Sequence, residues 1–143
     1  MGRLPFEEFK SIFSKVPRVT IEIVLVKNGG VVLTLRNIDP YKGYWHTPGG
    51  TLFYKEKVED AVKRIAKDEL GVEVKINKFL GYWEVPEWTQ ENGFSHSIGL
   101  VYQVETLLGD FTLNNQSSKM GIFDKIPDNT IQEQKEFLEK LEL

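Results

Sequence analysis

The 143-residue sequence contains no cysteine, which excludes disulfide bonds, thiolate metal sites and thiol catalysis. It also lacks long apolar segments. The longest uninterrupted runs, Ile23 to Val26 and Val31 to Leu33, are far below the roughly 20 residues of a membrane-spanning helix. No charged leader precedes an apolar stretch, and repeats, low-complexity tracts and linkers are missing. We therefore expect one cytoplasmic domain over residues 1–143, with no membrane partner.

Positive charge is scarce in the second half of the chain. Residues 79–143 contain four Lys and Arg against eleven acids, and residues 79–118 contain neither Lys nor Arg, whereas residues 1–48 contain seven Lys and Arg against four acids. Proteins that bind a nucleic-acid backbone normally spread Lys and Arg along one face. The sequence has no such run, so nucleic acid is not an expected partner. An anionic ligand would have to rely on the basic front half.

The residues that are present suit a packed α/β core, with 41% hydrophobic and 12% aromatic residues against 27% charged ones. Helical spacing of apolar residues predicts helices over Phe6–Val16 (within an N-terminal extension, residues 1–17), Lys57–Leu70 and Thr130–Leu143. Alternation predicts strands over Val19–Lys27, Val31–Arg36, Val72–Tyr82, Ser97–Glu105 and Gly121–Ile126. Strands and helices that mix in this way predict one layered α/β unit.

The middle helix carries a carboxylate inside its apolar stripe. At about 100° per residue, Glu69 returns to within about 20° of Val58. An unpaired buried carboxylate costs several kcal/mol, so such a residue is usually paired, hydrogen-bonded or bound to a cation. The alternative is that Glu69, one turn from the helix end, reaches solvent. Bare carbonyls of Pro48-Gly49-Gly50 lie just upstream, and Mg²⁺ favours carboxylate and carbonyl oxygens. A shared metal site is therefore predicted.

The same segment resembles the Nudix box. The matching residues, at the family's spacing over residues 50–72, are Gly50, Glu56, Arg64, Asp68, Glu69 and Gly71. The resemblance implies an α/β/α sandwich with a mixed central sheet. It also implies hydrolysis of a nucleoside diphosphate linked to another group, with Mg²⁺ or Mn²⁺. Of the matching residues, Gly50, Glu56, Arg64, Asp68 and Gly71 would form the structural frame, in which the Glu56–Arg64 pair braces the loop against the helix.

The box departs from the family pattern where a Glu normally follows Arg64. Ile65 stands there, and isoleucine neither accepts a proton nor binds a metal, so we expect fewer metal ions, one rather than several. The branch that looks closest is GDP-mannose mannosyl hydrolase, whose members also lack this Glu and displace at the sugar carbon. The segments that look like this branch are the N-terminal helix, Gly43-Tyr44-Trp45, Thr47-Pro48-Gly49-Gly50 and Gly81-Tyr82-Trp83.

Residue by residue, the resemblance implies that Gly49, Glu69 and Gln116 bind the metal. Arg36 would stabilise the departing diphosphate, a task suited to a bidentate cation. Trp45 and Trp83 would contact the substrate. Aromatic residues of the predicted loop Tyr82–Phe94 would stack on a nucleobase or, alternatively, cover a sheet edge or a dimer contact. Two positions depart from the branch: Ser117 replaces the His that acts as general base, and Thr51 replaces an arginine.

The general base therefore has several candidates. His46 and His96 are the two histidines, and each is more often a structural group than a catalyst. Glu22 on the first strand is the position at which relatives also carry an acid. The remaining acids considered are Glu84, Glu87, Glu91 and Asp110.

Three functions follow for comparison. The leading one is Mg²⁺-dependent hydrolysis of a nucleotide sugar such as GDP-mannose. The second is attack at phosphorus in ADP-ribose or a similar nucleoside diphosphate derivative. The third is a Nudix-like module that binds a nucleotide or a partner with little turnover, motivated by Ile65 and Ser117. The resemblance also makes a homodimer possible.

Overall fold

A computed structural model describes residues 3–38, 41–86, 96–114 and 116–141. Its elements, in chain order, are α1 (Phe6–Phe13), β1 (Arg18–Lys27), β2 (Gly30–Arg36), β3 (Trp45–His46), β4 (Gly49–Thr51), α2 (Val58–Leu70), β5 (Glu73–Val85), β6 (Ser97–Leu108), β7 (Ser117–Phe123) and α3 (Gln132–Glu139). None of these helices is long and apolar enough to cross a membrane.

Within the described residues, seven strands form one mixed sheet. The path through the sheet is β3-β2-β1-β6-β5, with β4 paired to β1 and β7 paired to β2. β1 and β6 run parallel, while β1 with β2, β2 with β7 and β5 with β6 are antiparallel. The predicted α/β class with a mixed central sheet is confirmed.

β1 is the central strand and carries much of the site. Along one edge it pairs with β6 from Arg18↔Ser97 to Leu25↔Val104. Along the other edge it pairs first with β4, ending at Glu22↔Gly49, and then with β2 at Val26↔Val31. Side chains alternate between the two faces of a strand. Arg18, Thr20 and Glu22 therefore share one face of β1, which is held rigidly by pairing along both of its edges.

Two apolar clusters cover the two faces of the sheet. The stripe of α2 (Ala61, Val62, Ile65, Ala66 and Leu70) packs on Ile21, Ile23 and Leu25 of β1. On the opposite face, Val24, Leu33, Trp83 and Val101 pack against Leu138 of α3. Each fully buried Leu, Ile or Val stabilises the fold by about 1.5–3 kcal/mol. α2 ends at Gly71, whose φ of 70° is the left-handed cap conformation that favours glycine.

The strands depart from the sequence prediction in three main places, besides β6, which runs to Leu108 and not to Glu105. β5 extends through Val85 because it keeps pairing with β6 as far as Val85↔Ser97. Tyr82 and Trp83 therefore lie in a strand and not in a loop, while residues 87–95, with Trp88 and Phe94, lie outside the described residues. β7 begins earlier than expected, because pairing with β2 selects Ser117–Phe123.

The third departure is that the segment predicted as a loop before the box forms the short strands β3 and β4. The helices agree with prediction except at their ends. α1 ends at Phe13 and not at the predicted Val16, and α3 occupies only Gln132–Glu139 of the predicted Thr130–Leu143.

Candidate active site

A cavity of about 970 Å³ opens where β1, β2, β4, α1 and the C-terminal end of α2 meet. Its charged lining combines two buried carboxylates, Glu22 and Glu69, with the guanidinium groups of Arg18 and Arg36. Most of the predicted site residues line this cavity: Glu22, Arg36, Gly49, Gly50, Arg64, Asp68, Glu69 and Gln116.

Glu69 projects from the apolar stripe of α2 and is only 8% exposed, so it does not reach solvent as the alternative required. Burial raises its pKa to about 7, and Arg36 and a hydrogen bond from the backbone N–H of Gly49 oppose that shift. The carboxylate is therefore held in the cavity by α2 and oriented by the backbone of β4.

Glu22 is the second buried carboxylate, 3% exposed, on the face of β1 that carries Thr20. Its Oε1 accepts a hydrogen bond from the Thr20 hydroxyl (3.0 Å), and its Oε2 accepts one from the Thr47 hydroxyl (2.9 Å). Burial raises the pKa of Glu22 to about 8, against these hydrogen bonds and the charge of Arg18, while Glu69 raises it further. Two hydroxyl groups therefore fix the orientation of the Glu22 carboxyl group inside the cavity.

Gly49 lies between the two carboxylates. It stands opposite Glu22 in the β1–β4 ladder. The neighbouring pair, Ile23 and Pro48, is hydrogen-bonded, because the Ile23 N–H donates to the Pro48 carbonyl at 2.9 Å. Antiparallel ladders alternate hydrogen-bonded with non-hydrogen-bonded pairs. The N–H and carbonyl of Gly49 therefore point away from β1, on the side where the N–H meets Glu69.

Arg36 ends β2, and the β2–β7 register shifts between Leu35 and Arg36. Such bulges bend a strand and re-aim side chains. The guanidinium lines the cavity, and its positive charge lowers the pKa of both Glu69 and His46. Arg36 thus brings positive charge to the cavity beside Glu69.

The Glu56–Arg64 pair lies at the edge of the cavity and spans the box loop and α2. Arg64 Nε and Nη2 donate to the two carboxylate oxygens of Glu56 at 2.8 and 3.0 Å, and Nη2 also donates to the Thr51 carbonyl at 2.9 Å. The Phe53 N–H donates to Glu56, and the guanidinium stacks on the Phe53 ring at 3.8 Å. These contacts hold the pKa of Glu56 below its ordinary value. The geometry is that of the predicted loop brace.

Neither histidine is placed as a base. His46 is 7% exposed, its Nε2 lies 3.0 Å from the Thr34 hydroxyl, and burial lowers its pKa to about 3. It is therefore a neutral structural group. His96 Nε2 lies 2.7 Å from Glu84 in a largely exposed pair, and His96 is absent from the cavity lining. The structure does not bring His96 together with Glu22 and Glu69.

The two tryptophans also lie away from the cavity lining. Trp83 is 4% exposed and packs edge-on against Phe137, with ring centroids 5.3 Å apart. Trp45 packs edge-on against Phe123 at 4.8 Å. Both rings belong to the cluster beneath α3.

The remaining predicted residues lie on the cavity wall or in its frame. Gln116 lines the wall, and its carbonyl accepts the Asn37 N–H at 2.9 Å. The following Ser117 is buried, and its hydroxyl has no hydrogen-bond partner in the described part of the chain. Asp68 forms long ion pairs with Arg64 (4.0 Å) and Arg3 (3.9 Å).

Sequence reasoning missed Thr20, Thr47 and Gln134, which orient Glu22 and its surroundings. The side chain of Gln134, on α3, accepts the Thr47 N–H at 2.9 Å across 87 positions of sequence. The one available signal was alternation along β1, which places Thr20 and Glu22 on the same face.

The oxygen atoms around Gly49 suit a hard divalent cation. Glu69 supplies a buried carboxylate, whose pKa is raised to about 7 by burial. The Gly49 carbonyl lies on the Glu69 side. No group of three or more His, Cys, Asp or Glu side chains that could hold a metal occurs in the described residues, so a metal at this site would also need backbone or amide oxygens. The donor set therefore fits a single ion that completes its coordination with water and substrate oxygens.

Comparison with known proteins agrees with this geometry. The NUDIX domain family model matches residues 16–140, so the chain belongs to the Nudix family. Nudix hydrolases act on nucleoside diphosphate derivatives and generally need divalent metal ions, and this chain is a Nudix hydrolase.

Individual relatives support the assignment. The chain is 35% identical over 125 residues to the low-salt glycan biosynthesis protein Agl8 of Haloferax volcanii, covering 85% of this chain and 80% of that protein. It is 28% identical over 108 residues to the ADP-ribose pyrophosphatase of Methanocaldococcus jannaschii, covering 76% of this chain and 62% of that protein. The crystal structure of a MutT NUDIX hydrolase from Burkholderia pseudomallei has the same fold, with a TM-score of 0.79 and 24% sequence identity. The match covers 89% of this chain and 99% of that chain.

Proposed function

We propose that this Nudix hydrolase cleaves a nucleoside diphosphate joined to a sugar, in the presence of Mg²⁺ or Mn²⁺. The observation that carries the proposal is the pair of buried carboxylates, Glu22 and Glu69, on either side of Gly49 with Arg36 in the same cavity. An anionic substrate can bind beside two carboxylates only where cations neutralise it. The metal and Arg36 would supply that positive charge.

Glu69, the Gly49 carbonyl and Gln116 at the wall are the groups that would hold the ion. When bound, the ion neutralises the diphosphate and polarises its oxygens. Arg36 would bind the diphosphate through its planar guanidinium, which matches phosphate oxygens in a bidentate manner. As the leaving group gains negative charge, this interaction becomes stronger and favours bond cleavage.

Glu22 is the base that we propose. Ser117 cannot accept a proton near neutral pH, His46 is a buried structural group, and His96 pairs with Glu84 on the surface. Glu22 is inside the cavity, and a cation bound nearby would lower its raised pKa towards neutral, where a carboxylate can accept a proton from water. Thr20 and Thr47 would keep its carboxylate in one orientation towards an attacking water.

A sugar-bearing substrate agrees with the Haloferax relative, which is a glycan biosynthesis protein. The loss of the box carboxylate at Ile65 supports a nucleotide sugar of the GDP-mannose type, as in the branch that the sequence resembles. The second candidate is attack at phosphorus in ADP-ribose, which the ADP-ribose pyrophosphatase of Methanocaldococcus favours. Both substrates are nucleoside diphosphates joined to a sugar, so one cavity can serve either reaction.

The test is turnover of a panel of GDP-, ADP- and UDP-sugars and ADP-ribose with Mg²⁺, by wild type and by the variants Glu69→Gln and Glu22→Gln. We expect Glu22→Gln to lose about 10²–10⁴-fold in kcat, the range of an acid–base group, and Glu69→Gln to lose most of its activity because the variant removes the proposed metal carboxylate. Glu84→Gln is the matched control, because this surface carboxylate lies outside the cavity lining. Wild type that hydrolyses nothing in the panel, or a fully active Glu69→Gln, would overturn the proposal.

The bond that breaks can be read directly. In ¹⁸O-labelled water, attack at the sugar carbon places the label in the free sugar, whereas attack at phosphorus places it in a phosphate product. Tight, metal-dependent nucleotide binding with no product over hours would instead favour the binding module.

A further inference from the structure

Arg18 differs from the other arginines of the cavity wall. Arg64 is engaged by Glu56 and the Thr51 carbonyl, and Arg3 is a largely exposed side chain beside Asp68. Arg18 is half-buried, and among the residues that the structure describes no carboxylate lies within the 4.0 Å of an ion pair with it. Arg18 lines the cavity, and within the described part of the chain its guanidinium forms no direct ion pair.

The position of this guanidinium is well defined. Arg18 starts β1, and its N–H donates to the His96 carbonyl at 2.9 Å, which ties the backbone to β6. Nη1 donates to the Thr51 hydroxyl at 2.9 Å, and the guanidinium carbon lies 5.5 Å from the centroid of the Phe9 ring. A cation held over a ring and by a hydroxyl is pre-organised, so little rotamer entropy remains to be lost when a ligand binds.

The electrostatic surroundings of Arg18 indicate what such a ligand would be. Desolvation by burial lowers the pKa of Arg18, nearby Glu22 opposes this effect without direct contact, and Arg36 adds repulsion. Two guanidinium groups that repel each other across one cavity are both stabilised by an anion placed between them. Within the described residues the Arg18 guanidinium donates only to the Thr51 hydroxyl, and it retains further N–H groups of its five for such an anion.

We propose that Arg18 is a second diphosphate-binding residue, which together with Arg36 makes the cavity select nucleoside diphosphates over monophosphates. This inference rests on the proposed function, because it assumes that the cavity takes a nucleoside diphosphate derivative. Two cations on separate strands, β1 and β2, suit two linked phosphate groups. A monophosphate would be bound by only one of the two guanidinium groups.

Calorimetric titration with ADP, AMP, GDP and GMP in Mg²⁺ tests this assignment without relying on turnover. Arg18→Met should weaken diphosphate binding by about 10–100-fold, the loss expected for charge-assisted hydrogen bonds, and monophosphate binding by less than about 3-fold. Arg18→Lys should recover part of the difference, since lysine keeps the charge but not the bidentate geometry. Thr51→Val should weaken diphosphate binding a few-fold, because it frees the guanidinium.

Lys75→Met is the control for the loss of one positive charge, since Lys75 is an exposed β5 residue beside Glu105 and outside the cavity lining. It should leave all four affinities unchanged. Thermal unfolding of each variant confirms folding, and if Arg18→Met does not fold, Arg18→Lys and Thr51→Val carry the test.

The inference would be overturned if Arg18→Met bound the diphosphates as tightly as wild type does. It would also be overturned if the variant lost the same factor in affinity for monophosphates and for diphosphates. If wild type hydrolyses no nucleotide sugar but Arg18→Met loses diphosphates selectively, the proposed function fails and the inference stands. If wild type binds neither ADP nor GDP, both fail.

Discussion

The carboxylate of Glu22 occupies the space that a side chain at Gly49 would fill. A Cβ at position 49 would lie 2.6 Å from the Cδ atom of Glu22, closer than real Cβ contacts allow. The same glycine donates its N–H to Glu69. Gly49 therefore serves both buried carboxylates: its missing side chain gives room to one, and its backbone orients the other.

Gly49→Ala should disable the site. The added methyl group would displace the Glu22 carboxylate and break its hydrogen bonds with Thr20 and Thr47. Overpacking of this kind costs about 1–3 kcal/mol of stability. We expect a lower unfolding midpoint in urea together with a loss of kcat at least as large as that of Glu22→Gln.

Gly50→Ala is the matched comparison for stability. A Cβ at position 50 would meet only the side chain of Ile65, at 3.7 Å, which is ordinary van der Waals contact. Its unfolding midpoint should stay close to that of wild type. If the two alanine variants lose the same amount of stability, the close approach of Glu22 to Gly49 is not what requires the glycine.

The Glu56–Arg64 brace should show a measurable coupling energy. Both side chains are mostly buried, at 14% and 23% exposure, and they form a bidentate pair. Glu56→Gln and Arg64→Met should each cost about 1–3 kcal/mol in urea unfolding, and the double variant clearly less than the sum. The exposed Lys75–Glu105 pair provides the reference cycle, with an expected coupling below about 1 kcal/mol. Additive losses at Glu56 and Arg64 would show that the pair does not act as a brace.

The box was predictable because its signals are local. Glu69 interrupts an apolar stripe that can be counted on one helix, and Glu56 and Arg64 are eight positions apart. The Glu22–Thr47 hydrogen bond joins residues 25 positions apart and depends on how β4 pairs with β1. Spacing alone cannot encode that contact, so Glu22 could be predicted only as one acid among several.

Trp83 was predicted as a substrate contact because aromatic residues cluster after Gly81. Once β5 is extended by its pairing with β6, alternation decides the matter: Tyr82 is 65% exposed, whereas Trp83 is 4% exposed. The strand boundary depends on a partner strand that lies beyond a long connection, and the local composition does not contain it. The sequence also could not decide between His96 and Glu22 as candidate bases, because their positions relative to the cavity depend on how distant strands pair.

His46 should limit stability in acid. Its pKa is lowered from an ordinary value near 6.5 to about 3 by burial, so the unfolded chain takes up a proton before the folded protein does. The stability that neutral His46 allows is complete above about pH 6.5 and is lost as the pH falls towards 3. At about 1.4 kcal/mol per pKa unit, the loss amounts to several kcal/mol.

Urea unfolding of His46→Gln from pH 7 to pH 3.5 checks this expectation. The variant should be slightly less stable than wild type at pH 7, because the contact with Thr34 changes, and should lose less stability on acidification. His96→Gln, which alters only a largely exposed pair with Glu84, should follow the wild-type pH dependence. A His46→Gln profile parallel to that of wild type would contradict the assignment of acid sensitivity to this residue.

Ile65 fills the place of a box carboxylate, and the fold now depends on it as an apolar residue. Its side chain is 2% exposed and packs in the cluster between α2 and β1. Ile65→Glu would bury a carboxylate among these residues, which costs several kcal/mol when no partner is present. In EDTA we therefore expect a large fall in the urea midpoint, against less than about 1.5 kcal/mol for the volume-conserving Ile65→Met. Added Mg²⁺ should restore part of the loss only if the new carboxylate reaches the ion that Glu69 is proposed to hold. A variant as stable as wild type in EDTA would show that position 65 tolerates charge, and that packing is not what isoleucine contributes there.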